Sequence, residues 1–297
     1  MFLLISVFMS FGFPQEAKEC SNNSITKQLK SDKSYTELRS KIVSEFGHTS
    51  AGRWGEFVNG VDELLLTNKK VIAFTFDACG GKNGSEYDNE LIDFLQGEKI
   101  PATLFVSGRW IDSHFSVFLN LSRDSLFEIE NHGLNHRPCS TEGKMIYGIK
   151  GTSDIGDAFN EVEANARKIE AITGHRPRFY RSATAYMDEA CAAMAARIGI
   201  TPVSYKVLSG DAVPFTPVAV IEDNVVKNIV PGAIIIMHFN HPDWNTKEAM
   251  EKIVPRLRHM GYTFVLLKEF KLISINNKVK GKPILNAGER AETKKAK

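Results

Sequence analysis

The feature that most constrains the fold is a regular alternation of strand and helix patterns that begins after Lys69 and Lys70. Short runs of β-branched and aromatic residues predict strands, and amphipathic segments ended by glycine predict the helices between them. Strands that alternate with helices pair in parallel through right-handed crossovers. The predicted strands cover residues 71–76, 101–106, 126–131, 178–180, 202–205, 233–237 and 262–267.

These strands predict one α/β unit, a distorted (β/α) barrel with about seven strands. The length of 297 residues alone would suggest two domains of about 150 residues each. Hydrophobic residues make up 43% of the chain and charged residues 24%, which is typical of a globular protein. The net charge of only +2 gives no reason to expect a nucleic-acid partner.

Both ends of the chain lie outside this alternation. Residues 2–13 form an apolar run that is shorter than the roughly 20 residues a bilayer requires. Such a run is typical of a secretory signal peptide, so we predict a signal over 1–17 and an exported protein, either periplasmic or extracellular at the cell envelope. A buried N-terminal helix or strand is the alternative.

Two further boundaries follow from the sequence. Residues 18–68 are polar and helix-like and form an N-terminal extension, and residues 69–271 form the main domain. The last segment, 272–297, is basic, with seven Lys or Arg and two Glu between 278 and 297. Such a tail is expected to contact anionic cell-wall polymer or to be simply disordered.

Reactive side chains come at or shortly after the ends of several predicted strands. In barrels of this class, the carboxyl ends of the strands meet at one mouth, where the chemistry gathers. The sequence therefore predicts one polar site. Its members are Asp77, His132, Arg181, Asp211 and His238, with His136 four residues after His132.

His132 and His136 are the strongest candidates for binding a metal. Residues four apart on a helical turn share one face, so both imidazoles could bind one zinc ion; a chance pair is the alternative. Zinc lowers the pKa of a bound water to about 7, after which a carboxylate can accept a proton and His238 can protonate a leaving amine. Arg181 and Asp211 could form an ion pair that orients the base, or a purely structural one.

The order of these residues resembles the polysaccharide deacetylase family, carbohydrate esterase family 4, over about residues 69–271. The resemblance implies a distorted barrel with fewer than eight strands and a divalent metal, for which we expect Zn²⁺. It also implies hydrolysis of N-acetyl groups on amino-sugar polymers, although some members remove O-acetyl groups from xylan. The matching segments are Thr75-Phe76-Asp77, His132-Gly133-Leu134-Asn135-His136, Phe179-Tyr180-Arg181, Asp211 and Ile236-Met237-His238.

The resemblance also implies a role for each matching residue. Asp77 corresponds to the catalytic base, and His238 corresponds to the general acid. His132 and His136 correspond to metal ligands. The remaining two, Arg181 and Asp211, correspond to residues that support the base.

The sequence departs from the family pattern directly after Asp77. The family has a second, metal-binding Asp there, whereas this chain has Ala78, which cannot bind a metal. Asp77 itself, a water, or Glu130 could fill the position; Glu130 should face the same way as His132, two residues on along a strand. If nothing fills it, the chain is a catalytically silent carbohydrate-binding or cell-wall protein on the same barrel.

A second departure follows Arg181. Thr184 stands where the family has an aromatic residue, and the aromatic here is Tyr186, so the loop that offers a backbone N–H to the oxyanion is expected to be remodelled. Tyr186, Trp110 and Trp244 could stack on sugar rings, or simply pack in the fold. We expect an N-acetylglucosamine polymer of the cell wall as substrate, because the chain looks exported.

Two cysteines directly follow two of the motifs. Cys79 comes two residues after Asp77, and Cys139 comes three after His136. If both motifs meet at one mouth, the sulfurs lie close, and in an exported protein we predict a disulfide between them. The alternatives are a thiolate that joins the metal ligands, or unrelated thiols.

Overall fold

The computed structural model describes residues 22–82 and 84–274. The predicted signal peptide and the tail beyond residue 274 lie outside the described residues. The helices are α1 Asn22–Ser31, α2 Lys33–Phe46, α3 Asn89–Gly97, α4 Gly108–Ser113, α5 Phe115–Arg123, α6 Ile155–Thr173, α7 Glu189–Arg197, α8 Val218–Asn228 and α9 Thr246–His259. The strands of the main sheet are β1 Val71–Ala78, β2 Ala102–Val106, β3 Phe127–Asn131, β4 Phe179–Tyr180, β5 Thr201–Pro202, β6 Val207–Leu208, β7 Ile234–His238 and β8 Thr263–Phe264.

The main sheet is parallel and curled. Its continuous part has seven strands in the order β5-β4-β3-β2-β1-β7-β6, and β8 pairs with the first residues of β1. The sheet is a half-barrel, which confirms the predicted α/β fold with about seven strands. Every residue of β1 is buried, because this central strand is covered on both faces.

Short strands outside the main sheet tie connecting segments together. Each has two residues and pairs in antiparallel fashion. The pairs are Trp54–Gly55 with Met187–Asp188, Leu64–Leu65 with Leu272–Ile273, and Met145–Ile146 with Ile149–Lys150. The first of these pairs brings the segment before the barrel to the loop that follows β4.

Helices α1 and α2 pack against α6 on the outside of the sheet. The Tyr35 ring lies 5.3 Å from the Phe159 ring, and its hydroxyl donates to Asn160 Oδ1 at 2.7 Å. Further along, Tyr205 Oη donates to Glu56 Oε1 at 2.8 Å, so residues before the barrel also contact the connection between β5 and β6. In the part of the chain that the structure describes, no helix has the length and apolar character needed to cross a membrane.

Candidate active site

The predicted site residues gather at the carboxyl end of the sheet. Asp77 and His238 are register partners near the ends of neighbouring strands β1 and β7. His132 directly follows β3, and Arg181 directly follows β4. Asp211 follows β6, which pairs with β7. The curl of the sheet therefore turns five separate sequence positions toward one mouth.

Asp77 is held by a buried arginine. Arg181 Nη1 donates to Asp77 Oδ1 at 2.7 Å, and Nη2 donates to the carbonyl of Ser204 at 2.9 Å. The guanidinium lies 4.3 Å from the centre of the Phe105 ring. Burial raises the pKa of Asp77, but the charge and hydrogen bond of Arg181, together with His132 and His238, outweigh burial, so this pKa lies below its usual value. The carboxylate is ionised and oriented, as a general base requires.

Asp211 binds His238 rather than Arg181, so the pairing predicted between Arg181 and Asp211 is wrong. His238 Nδ1–H donates to Asp211 Oδ1 at 3.1 Å, and the His238 backbone N–H donates to Oδ2 at 2.7 Å. The hydroxyls of Ser209 and Thr246 donate to the same carboxylate. The difference arises because Asp211 follows β6, at the sheet edge beyond β7, whereas Arg181 follows β4.

The carboxylate of Asp211 also decides the charge of His238. Burial lowers the pKa of this imidazole, but the charge and hydrogen bond of Asp211 outweigh burial, so the pKa lies above its usual value. Because Nδ1 is occupied by Asp211, Nε2 is the nitrogen left to exchange a proton with a substrate. His238 thus has the tautomer of a general acid, and its pKa is shifted in the direction that such an acid requires.

The segment from His132 to His136 is a bent loop and not a helical turn, which corrects the geometry expected from the spacing. Gly133 has φ 82° and His136 has φ 53°, the left-handed region that side chains other than glycine rarely adopt. Glu161 of α6 fixes the loop by accepting hydrogen bonds from the backbone N–H groups of Asn135 and Arg137 at 2.9 and 3.0 Å. A Cβ at Gly133 would lie 2.5 Å from Glu161 Oε1.

Glu161 was missed by the sequence analysis. It lies 26 positions after Asn135, inside a long amphipathic helix, where a glutamate ordinarily faces solvent. The only signal that could have found it is its place on the apolar side of that helix, between Ala158 and Val162, which are both buried. Burial raises the pKa of Glu161 to about 7.

The two histidines present donor atoms suited to a divalent ion. His132 Nδ1–H donates to the carbonyl of Arg181 at 2.8 Å, which fixes the tautomer and leaves the Nε2 lone pair available. Among the described residues, Nε2 of His132 and Nε2 of His136 are buried without a hydrogen-bond partner. Burial holds the pKa of both imidazoles below the usual value, so both are neutral, as metal ligands must be. These residues fit a metal.

A third donor lies beside the histidines. One ligand atom from each of Cys79, His132 and His136 falls within 4.8 Å of the others. Asp77 Oδ2 is 3.8 Å from His132 Nε2, yet Asp77 does not complete such a group with both histidines in the described chain. Burial raises the pKa of the Cys79 thiol, with further contributions from the charges of Asp77 and Asp211.

Neither Ala78 nor Glu130 supplies a ligand. The Ala78 side chain packs in the main hydrophobic core. Glu130 Oε2 accepts a hydrogen bond from the Phe179 backbone N–H at 2.7 Å, which contradicts the hypothesis that Glu130 lies near the metal. Positions two apart on a strand share a face, but Glu130 lies about 7 Å further down that strand than His132.

The predicted disulfide between Cys79 and Cys139 is absent, and both thiols are free. Cys139 instead lies in contact with Cys191 of α7. Its backbone N–H donates to Ser182 Oγ at 2.8 Å, and its strand bridge pairs it with Met187. The loop therefore turns Cys139 away from β1 after His136.

Two of the three candidate aromatics border the mouth. Trp244 stacks on His241 at 3.8 Å and meets His238 edge-on at 5.7 Å, and Tyr186 lies 5.9 Å from the Trp54 ring. Trp110 is fully buried and donates from Nε1 to the carbonyl of Glu86, so it cannot stack on a sugar. Tyr186 follows a distorted turn in which Thr184 and Ala185 both have φ 61°.

The comparisons with known proteins agree with one another on a single family. The sequence model of the family described as Polysaccharide deacetylase matches residues 66–203, which include Asp77, His132, His136 and Arg181. The uncharacterized protein YlxY of Bacillus subtilis is 26% identical over 204 residues, covering 68% of this chain but only 57% of YlxY. A peptidoglycan-N-acetylglucosamine deacetylase of Bacillus cereus is 28% identical over 204 residues, covering 68% of this chain and 88% of that enzyme.

Solved structures share the same fold. A Bacillus anthracis protein described as a CE4 family pseudoenzyme is 23% identical, with a TM-score of 0.57 over 68% of this chain and 66% of that chain. A family 4 acetyl xylan esterase from Clostridium thermocellum, in complex with a cobalt ion, is 23% identical, with a TM-score of 0.55 over 67% of this chain and 89% of that chain. At these identities the structures establish the fold alone.

Proposed function

We propose that this chain, which belongs to the polysaccharide deacetylase family, is a metal-dependent hydrolase that removes acetyl groups from an amino-sugar polysaccharide. One observation carries the proposal: two buried imidazole nitrogens without partners lie beside an arginine-bound carboxylate. Such buried polar atoms are costly unless something binds them. A divalent ion on His132 and His136 would satisfy both.

The ion would supply Lewis-acid polarisation of the acetyl carbonyl and a nucleophilic water at neutral pH. We propose Zn²⁺, because neutral imidazole is among its preferred ligands. Asp77 accepts the proton that the water loses as its oxygen bonds to the carbonyl carbon. Arg181 keeps that carboxylate ionised and aimed, since it holds Oδ1 and leaves Oδ2 toward His132.

His238 completes the reaction on the leaving-group side. As the carbon–nitrogen bond breaks, Nε2–H donates its proton to the departing amine, which leaves as a free amino sugar beside acetate. Asp211 supports this step because it fixes Nδ1–H and favours the protonated imidazole. The proposed catalytic set is therefore two hydrogen-bonded pairs, Asp77 with Arg181 and His238 with Asp211.

Peptidoglycan, chitin-like or other N-acetylglucosamine polymers are the substrates that we propose. The Bacillus cereus relative, whose name gives peptidoglycan N-acetylglucosamine as its substrate, supports this choice. Trp244 beside His238 and Tyr186 beside Trp54 offer partly exposed rings at the mouth for sugar stacking. We further propose export to the cell envelope, on the basis of the apolar run over residues 2–13.

A silent binding protein is the second candidate, and Ala78 is the observation that favours it. The Bacillus anthracis neighbour described as a pseudoenzyme shows that this fold occurs without activity. Against this candidate, both buried pairs of acid–base residues are complete and oriented.

An acetate-release assay separates the two candidates. The protein would be incubated with acetylated chitin oligomers, peptidoglycan and acetylxylan, with and without added zinc. We expect zinc-dependent acetate release from at least one amino-sugar substrate. His238→Ala should lower turnover by about 10²-fold or more while zinc stays bound. Binding of these polymers with no acetate released under any metal condition would support the silent protein instead.

A further inference from the structure

We propose that the sulfur of Cys79 is the third protein ligand of the metal, in place of the carboxylate that Ala78 cannot provide. The inference rests on the proposed function only for the presence of an ion. It is carried by the group of one sulfur and two imidazole donors, all within 4.8 Å of one another. Such separations allow one ion to contact all three after small adjustments of the side chains.

The strand explains why Cys79 takes this place rather than Ala78. Side chains alternate between the two faces of a strand, so Cys79 continues the face of Asp77 while Ala78 points the other way. Ala78 accordingly packs in the main core, fully buried. Asp77 and Cys79 both turn toward the mouth, where Asp77 meets Arg181 and Cys79 meets the two histidines.

The backbone on both sides of Cys79 is fixed. Ser107 Oγ–H donates to the carbonyl of Cys79 at 2.6 Å, and the Gly80 N–H donates to the carbonyl of Gly84 at 2.8 Å. Gly80 has φ 72°, and a Cβ there would lie 2.6 Å from the backbone nitrogen of Trp110, so only glycine allows this tight approach. The loop therefore holds the thiol in one position, which is what a ligand site needs.

No described cysteine competes for this sulfur. Cys79 is free, and the neighbour of Cys139 is Cys191. A thiolate with two imidazoles favours Zn²⁺ over Mg²⁺ or Mn²⁺, which prefer oxygen ligands. With sulfur as the third ligand, Asp77 keeps its bond to Arg181 and stays available as the base.

Cobalt substitution tests the inference without any assay of activity. Metal-free protein would be titrated with Co²⁺ while its absorption is recorded. We expect a near-ultraviolet thiolate-to-cobalt charge-transfer band that saturates at one ion per chain. The band should vanish in Cys79→Ser and persist in Cys191→Ala, a control that removes another buried thiol outside the site. Zinc affinity should fall about tenfold or more in Cys79→Ser alone.

Alkylation of the unmodified protein gives a second measurement in case a variant fails to fold. Bound Zn²⁺ should slow the modification of Cys79, as followed by mass spectrometry of its peptide. Equal alkylation with and without bound zinc, or one bound Co²⁺ without a thiolate band, would overturn the inference. Acetate release without the band would contradict the ligand but not the function, and the band without acetate release would contradict the function but not the ligand.

Discussion

Two buried carboxylates at the same level of the sheet have pKa values that are shifted in opposite directions. Asp77 of β1 and Glu130 of β3 are both register partners of Phe105 in the strand between them, and each is 2% exposed. The pKa of Asp77 lies below its usual value, since the charge and hydrogen bond of Arg181, together with His132 and His238, outweigh burial. The pKa of Glu130 lies well above its usual value because of burial and the neighbouring Glu128.

The difference shows that the partner of a buried acid, and not its depth, decides its role. Asp77 has a guanidinium at 2.7 Å, which favours its charged form in the mouth, where we propose that it acts as the base. Glu130 accepts a backbone hydrogen bond from Phe179, has no cationic partner of that kind among the described residues, and is shifted toward its neutral form by burial and Glu128, with its pKa raised. Replacing each acid by its amide makes this contrast measurable.

Asp77→Asn should have the largest effect. Turnover should fall by about 10²–10⁴-fold, because the general base is lost. The free energy of unfolding should also fall by about 3–5 kcal/mol, since the Arg181 guanidinium is left buried without its carboxylate. Acetate release and chemical denaturation measure the two effects. Unchanged turnover in a folded variant would remove Asp77 from catalysis.

Asp211→Asn should have an intermediate effect on turnover, through the pKa of the proposed general acid His238. In the wild type, turnover should fall as pH rises through the raised pKa of His238, because the imidazole must be protonated to donate. Without the charge of Asp211, burial dominates and lowers that pKa, so the alkaline limb should move to lower pH by about one pH unit or more. A limb that stays in place in the pH–rate profile would show that His238 is not the acid.

Glu130→Gln should have the smallest effect and serves as the matched control for Asp77→Asn. Turnover and zinc content should match the wild type, because the amide oxygen can accept from Phe179 N–H. The raised pKa means that the folded wild type holds a proton that the unfolded chain loses, so wild-type stability falls as pH rises above about 4.5. The melting temperature of the variant, measured across pH, should therefore rise relative to that of the wild type as the pH increases. Loss of bound zinc in this variant would show instead that Glu130 contributes to metal binding.

The sheet could be predicted from the sequence because its strands are short, apolar and separated by clear helices. The predicted strand over 71–76 corresponds to β1 Val71–Ala78, and the one over 233–237 corresponds to β7 Ile234–His238. The prediction over 202–205 was less successful, since β5 Thr201–Pro202 overlaps it at Pro202 alone and β6 begins only at Val207. Such strands are held by tertiary pairing and leave almost no periodic signal.

The members of the site could be predicted, but not their partners. Polar residues that end apolar strands are visible in the sequence, and strand ends meet in a curled parallel sheet. Pairing depends on strand order, which places Asp211 beside β7, and on the curl of the sheet, which brings Arg181 after β4 to Asp77 on β1. The position of Cys139 depends in the same way on a loop held by Ser182, which no spacing reveals.

A zinc titration of metal-free protein tests most directly the proposal that an ion on the two histidines makes this site a hydrolase. Acetate release from an acetylated N-acetylglucosamine oligomer would be measured against bound zinc, with His132→Ala as the control. We predict that activity rises in proportion to bound zinc, saturates at one ion per chain and is absent from the control. Activity that is independent of bound zinc, or no acetate release at one zinc per chain, would contradict the account.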